Sequence, residues 1–162
     1  MSRRVTSVVV VIVASLLASC GFHLQGALTI PADMQRTYVD AVDPHSLFYR
    51  ELRAQLRMAG VDLVDGGAHA TAILSILFDD TEQRVLSVSA RNVPTEYEVY
   101  YTIEYALNAG SKTLLDTQTL TLTRDYTYDS RLVLGKAREE DLLREAIVKD
   151  LVRIVLKQIS IL

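Results

Sequence analysis

The residues that could act as metal ligands or nucleophiles are few and widely separated along the 162-residue chain. Cys20 is the single cysteine, and the three histidines, His23, His45 and His69, do not stand at the spacing of metal-ligand pairs. No serine or threonine is paired in the sequence with an evident general base. We therefore predict that the chain is not an enzyme and holds no metal ion or cofactor.

Two further motifs have simple structural interpretations. Asp79 and Asp80 are adjacent, and neighbouring strand residues point to opposite faces, so a turn or a solvated edge is favoured over a carboxylate pair. Gly66 and Gly67 lack the strand–loop–helix context of a phosphate-binding loop. Neither motif predicts a site.

Residues 1–19 have the pattern of a secretory signal peptide. Arg3 and Arg4 give a basic start, residues 5–17 carry no charge, and two small residues follow. The apolar run is shorter than the ~20 residues that a membrane-spanning helix needs. We predict that residues 1–19 are removed; a retained membrane anchor is the alternative interpretation.

The sequence LASC, which ends at Cys20, resembles the lipobox of bacterial lipoproteins. The resemblance implies cleavage before Cys20, followed by its acylation with an S-diacylglycerol group and an N-palmitoyl chain. Stable anchoring needs more than one acyl chain, and this modification supplies more than one. Gly21, rather than an aspartate, follows the cysteine, which resembles the signal for sorting to the outer membrane.

The overall charge excludes one class of partner. The formal net charge is −3, and removal of the leader would take away Arg3 and Arg4 but no acidic residue. A mildly acidic domain has no bulk affinity for nucleic acid.

The first half of the remaining chain predicts a strand, a helix and a short extended segment. Residues 20–35 read as a tether, and residues 36–42 as a strand. Asp43 and Pro44 suit a helix start, and the helix is predicted to run to Ala59, with Gly60 as its C-terminal cap. Residues 61–64 are extended. The apolar face of this helix comprises Phe48, Leu52, Leu56 and Ala59.

The second half predicts long alternating strands and a second helix. One strand face is formed by Ala72, Leu74, Ile76 and Phe78, with an interruption at 79–84 before it continues through 86–90. Residues 96–107 and 114–128 alternate, separated by a turn at 108–112. The last helix is predicted over 137–158, with acidic residues 139–141 in its first turn. Its buried stripe comprises Leu143, Ile147, Leu151 and Ile154.

This order predicts an α/β (α+β) two-layer sandwich. Two helices would pack on one face of a mixed, mostly antiparallel sheet of about four strands, within a single globular domain over residues 36–162.

Basic residues provide the remaining features that could bind a ligand. Arg50, Arg53 and Arg57 share one helix face, for which a solvated surface is the plainer interpretation. Arg91 lies in the turn at 91–95, and Lys136 lies in the predicted loop before the last helix. Isolated basic residues often have no role, although arginine can contact phosphate with two parallel hydrogen bonds.

Three stretches carry a family resemblance. CGFHLQG from Cys20, LRMAGVDLVD from Leu56 and TEYE from Thr95 resemble the LPS-assembly lipoprotein LptE family. Gln25 stands where that family usually has an arginine, so a contact made by that arginine is not carried over.

The resemblance implies a fold and a role. Such lipoproteins lie at the periplasmic side of the outer membrane, plug the β-barrel translocon LptD, help it assemble, and assist delivery of lipopolysaccharide to the outer leaflet. They bind lipopolysaccharide through basic loop residues, which implies that role for Arg91 and Lys136. The alternative is an envelope lipoprotein that binds a small ligand in a transport system, which a deep apolar pocket would favour.

Overall fold

A computed structural model describes residues 29–128 and 133–162, which form two helices and five strands. Short 3₁₀ turns at Ala32–Met34 and Gly67–His69 precede β1 and β3. The predicted leader and the acylation site at Cys20 lie outside the described residues. The strands are β1 (Arg36–Ala41), β2 (Asp62–Leu63), β3 (Ala72–Val88), β4 (Pro94–Ala109) and β5 (Lys112–Thr127), and the helices are α1 (Leu47–Met58) and α2 (Val133–Ile159).

The strands form one mixed sheet in the order β2-β1-β3-β4-β5. β1 runs parallel to β2 and β3, whereas β3, β4 and β5 form an antiparallel meander. The predicted α+β sandwich is confirmed, with five strands instead of about four. The additional strand is the extended segment at 61–64, of which Asp62 and Leu63 pair with Arg36 and Thr37.

Both helices pack on the same face of the sheet. Tyr105 donates a hydrogen bond from its hydroxyl to Gln158 of α2, and burial raises the pKa of Tyr105 to about 12. Arg124 of β5 pairs with Asp150 of α2 at 2.6 Å. The predicted alternation of β4 is confirmed, because its covered face is formed by the buried residues Val99, Tyr101, Ile103, Tyr105 and Leu107.

The predicted interruption at 79–84 is wrong, because β3 continues through it with a bulge. Ile76 pairs with Tyr105 and Phe78 pairs with Glu104, so Leu77 is an extra residue without a partner. One extra residue shifts the alternation of everything that follows. Leu77 and Phe78 are therefore 47% and 45% exposed, and Phe78 does not share the buried face of Ile76.

Helix α1 begins at Leu47 and not at Pro44. The cap is Ser46, whose Oγ accepts a hydrogen bond from the amide of Tyr49 at 3.0 Å. Asp43 accepts the amide of His45 instead, at 2.8 Å. The predicted end is confirmed: Ala59 follows the last helical residue, and Gly60 has a φ of +87°, which glycine adopts without strain.

Helix α2 begins four residues earlier than the predicted start at 137. Lys136 thus lies in its first turn and not in a loop, and the acidic residues 139–141 lie beyond that turn. The predicted stripe is correct for Ile147 and Leu151, which are buried. Ile154 is only half-buried, because the buried side chains of this helix recur at a spacing of four residues. The buried residues of α2 are Ile147, Val148, Leu151, Val152, Val155, Leu156 and Ile159. Neither described helix is long and apolar enough to span a membrane.

Candidate functional site

Arg91 lies in a tight turn between β3 and β4. The turn is closed by a hydrogen bond from the Ser89 amide to the Val93 carbonyl, at 2.8 Å, and Asn92 has a φ of 57°. The side chain of Arg91 is exposed and makes no ion pair or hydrogen bond with any residue that the structure describes. Its guanidinium is therefore available to an external anion.

The start of α2 lies at the same end of the sheet as this turn. β5 runs antiparallel to β4, and the Tyr128 amide donates to the Thr95 carbonyl at 2.8 Å, so β5 ends where β4 begins. Helix α2 starts at Val133, shortly after that point. We call this region the distal end of the sheet (residues 85–97 and 126–128). The fold brings Arg91 and the backbone of Lys136 to this one end.

Three tyrosine rings pack together at the distal end, and the hydroxyl of one of them contacts α2. The ring of Tyr97 stacks on that of Tyr126 with centroids 5.7 Å apart, and it meets Tyr128 edge-on at 5.4 Å. The hydroxyl of Tyr126 accepts from the side-chain amide of Gln83 at 2.6 Å and donates to Glu140 of α2 at 3.4 Å. Burial, followed by the charge of Glu140, raises the pKa of Tyr126. These contacts position the distal end, and the tyrosine-rich strand serves mainly in packing.

The arginine face predicted on α1 is only partly available to a ligand. The guanidinium of Arg53 lies 5.3 Å from the centroid of the Tyr49 ring and donates to its hydroxyl at 2.5 Å. Arg50 and Arg57 remain exposed, and Arg50 also reaches the carbonyl of Ser46 at 3.4 Å. This arrangement agrees with a solvated helix face.

Asp79 has a role that the sequence pattern did not reveal. Its carboxylate accepts hydrogen bonds from the Oγ of Ser46 and from the hydroxyl of Tyr101, the latter at 2.6 Å. Burial raises the pKa of Asp79, and the two hydrogen bonds lower it to a smaller extent. Burial and the neighbouring carboxylate likewise raise the pKa of Tyr101. The carboxylate of Asp79 therefore links α1 to the sheet.

Within the described ranges, no three acidic, histidine or cysteine residues lie close enough together to hold a metal ion.

A groove of about 260 Å³ lies between the two helices. Two cationic and two anionic side chains line it together with two aliphatic ones, so its walls are of mixed charge. These lining residues are Leu47, Arg50, Glu51, Glu145, Val148 and Lys149. The groove does not have the apolar lining that a small-ligand module would need.

Comparison with known proteins identifies the family of this fold. The model of the LptE family, described as lipopolysaccharide-assembly, matches residues 34–159. The chain belongs to the LptE family. The resemblance noted in the sequence is thereby confirmed over nearly all of the described fold.

Relatives and solved structures agree with this assignment. The LPS-assembly lipoprotein LptE of Pectobacterium atrosepticum is 26% identical over 146 residues, which covers 90% of this chain and 79% of that protein. The protein of the same name from Yersinia enterocolitica is 23% identical, over 90% of this chain and 70% of that one.

Two lipoprotein structures share the LptE-family fold. Lipoprotein B of Nitrosomonas europaea superposes with a TM-score of 0.72 at 27% identity, covering 86% of this chain and 90% of that one. The rare lipoprotein B of Shewanella oneidensis gives 0.67 at 26% identity, covering 77% and 93%.

Proposed function

We propose that this LptE-family chain is an outer-membrane lipoprotein that plugs and helps assemble the LptD β-barrel and binds lipopolysaccharide during its delivery to the outer leaflet. The observation that carries the proposal is the family match over residues 34–159. The arrangement proposed for the chain is a removed leader over 1–19, an acylated tether over 20–35 and a globular domain over 36–162.

The uncovered face of the sheet supports the role of a plug. Thr119, Thr121 and Thr123 of β5 are exposed there, and the hydroxyl of Thr121 lies 2.9 Å from that of Thr102 on β4. A surface of hydroxyl and carboxylate groups suits a water-lined barrel interior. Within the described part of the chain no further strand pairs with the outer edge of β5, and an enclosing barrel would shield this edge from pairing with other chains.

Basic groups at the distal end support the binding of lipopolysaccharide. The lipid A and inner-core regions are anionic and are bridged by divalent cations. The exposed guanidinium of Arg91 can replace such a cation, since it offers two parallel hydrogen bonds to a phosphate. We assign Lys136 the same role, as a second positive charge in the first turn of α2.

The proposal is tested with the double variant Arg91→Asp/Lys136→Asp. Each protein is purified from outer membranes, and both the co-purified barrel and the bound lipopolysaccharide are quantified. We expect the variant to retain the barrel but to bind about tenfold less lipopolysaccharide, because two cationic contacts become repulsive. The matched control, Arg50→Asp/Arg57→Asp, changes two exposed arginines on α1 and should match the wild type.

The same preparation separates the parts of the proposal. If no large β-barrel co-purifies with the wild-type protein, the role of a plug is contradicted. Undiminished lipopolysaccharide in the Arg91→Asp/Lys136→Asp variant would contradict the assignment of these two residues.

A further inference from the structure

Four aliphatic side chains around the Arg91 turn are exposed. The side chains at positions 85, 86, 88 and 93, close to the turn between β3 and β4, are 44–54% exposed. We call them the apolar tip, which comprises Val85, Leu86, Val88 and Val93. The buried residues that β3 contributes to the core are Ala72, Leu74 and Ile76, so the hairpin continues well beyond the core that the helices cover.

Strand pairing holds the apolar tip together. Val85 pairs with Tyr97, and Val88 pairs with Pro94, directly next to Val93. The oxygens of Ser87 and Thr95 lie 2.7 Å apart and link the two strands between these pairs. The tip is therefore an ordered part of the hairpin, and Val85 places it beside Tyr97 at the distal end.

An exposed cation, Arg91, lies next to the apolar tip and has no ion-pair partner among the described residues. Of the two neighbouring carboxylates, Glu98 pairs with Arg84 at 2.5 Å, whereas Glu96 accepts from the neutral hydroxyl of Ser87 at 2.9 Å and keeps its charge. An exposed cation thus stands within a few residues of an exposed aliphatic surface.

We propose that the apolar tip binds acyl chains of the same anionic lipid whose phosphate Arg91 contacts. Apolar contact is non-directional and needs no preformed cavity, so an ordered aliphatic surface beside a cation suits an amphiphile with phosphate and acyl groups. This inference rests on the proposed function and extends it from the anionic part of lipopolysaccharide to its hydrocarbon part.

A second exposed apolar patch provides a matched control. Val42 and Leu77 are 81% and 47% exposed, and they follow Ala41 and Ile76, which pair with each other. The charges near this patch are negative, since Asp43 and Asp80 act electrostatically on Asp79 beside it. Carboxylates would repel an anionic lipid, so this patch should not contribute to binding.

The test compares Val88→Thr/Val93→Thr with Val42→Thr/Leu77→Thr in the full-length chain. The proteins are purified in detergent and immobilised, and binding is measured to lipid A in mixed micelles and to fully deacylated lipopolysaccharide. At the three valine positions threonine keeps the branched shape and the strand preference, and Leu77 is exposed, so the fold is retained in both variants. We expect the tip variant to bind lipid A about tenfold more weakly, with binding of the deacylated molecule unchanged. The control variant should match the wild type in both assays.

Three outcomes would overturn the inference. Equal lipid A binding by the tip variant and the wild type would show that the apolar tip is not part of the binding site, and it would not affect the role proposed for Arg91. Loss of the co-purified β-barrel with unchanged lipid A binding would assign the tip to a protein contact instead. A wild-type chain that binds neither probe would overturn the proposed lipopolysaccharide binding as well.

Discussion

At the scale of single residues, the carboxylate of Asp79 is the main polar link between α1 and the sheet. It accepts hydrogen bonds from Ser46 at the start of the helix and from Tyr101 on β4. Both donors are distant from Asp79 in sequence, by 33 residues for Ser46 and by 22 for Tyr101. The carboxylate is thus positioned to stabilise the packing of two layers.

The raised pKa of Asp79 predicts a specific pH dependence of stability. The folded state binds the proton of this carboxyl more tightly than the unfolded state, in which the pKa is 3.8. The free energy of unfolding of the wild type, minus that of Asp79→Asn, should therefore be largest in acid and fall as the pH rises above about 4. Denaturant unfolding of both proteins across a pH series measures this difference.

Removing one donor sharpens this test. Tyr101→Phe deletes a hydrogen bond that lowers the pKa of Asp79, so the pH dependence attributed to this group should extend to higher pH in that variant. A difference between wild type and Asp79→Asn that is constant with pH, or that grows as pH rises, would contradict the assignment.

The sequence predicts part of this arrangement. Alternation correctly indicates that Asp79 and Asp80 point to opposite faces. It does not indicate which of them points inward, because that depends on the extra residue at Leu77. A bulge leaves no distinct sign in a strand that is already interrupted by polar residues, so the sequence alone favours a turn or a solvated edge for this inward carboxylate.

At the scale of elements, Ser46 acts both as the cap of α1 and as a donor to the sheet. Its Oγ accepts the Tyr49 amide and donates to Asp79. The side chain of Asp43, which the sequence favours as the cap, accepts a hydrogen bond only from the amide of His45 among the described residues. Two nearby residues of similar capping ability therefore have very different structural roles.

This difference predicts unequal costs of substitution. Ser46→Ala should lower the free energy of unfolding by about 2–3 kcal/mol, because it removes a helix cap and a hydrogen bond to a charged group. The matched variant Asp43→Ala should cost less than about 1 kcal/mol. Chemical denaturation of the two variants gives both values, and an equal or larger loss in Asp43→Ala would show that the cap had been misassigned.

Periodicity predicts the regular parts of the elements and not their irregular ends. The alternation of β4 and the end of α1 at Gly60 agree with the structure because each depends on local chemistry. The sequence predicts a later start for α2 than Val133 because Gly135, a weak helix former, favours a loop at that position. The pairing of β2 depends on β1, a partner distant in sequence, which composition does not reveal.

At the scale of the whole molecule, the proposed location depends on Cys20. Cys20→Ala should abolish acylation and release the chain from the membrane fraction, because stable anchoring requires the acyl chains. Incorporation of labelled palmitate and membrane fractionation measure the two effects. Thermal unfolding of the globular domain should be unchanged, and a variant that still carries acyl chains would contradict the lipobox assignment.

The family could be predicted from short motifs, whereas the arrangement of the distal end could not. The stretches from Cys20, Leu56 and Thr95 together indicate the LptE family, which the match over residues 34–159 confirms. That Arg91 and the start of α2 meet at one end follows from strand directions, and the exposure of Val88 and Val93 follows from the length of the hairpin beyond the core. These are properties of tertiary structure.

The extra residue at Leu77 has an evolutionary consequence. Deleting this one codon would remove the bulge and keep the pairing beyond it, so that Phe78 would still face outward opposite Glu104 and Asp79 inward opposite Ile103. The hairpin that carries Arg91 would keep its two faces, because the strand segment beyond Leu77 would keep its register. Position 77 is therefore a place where β3 can gain or lose one residue without exchanging its faces, whereas a deletion at a regularly paired position would exchange them.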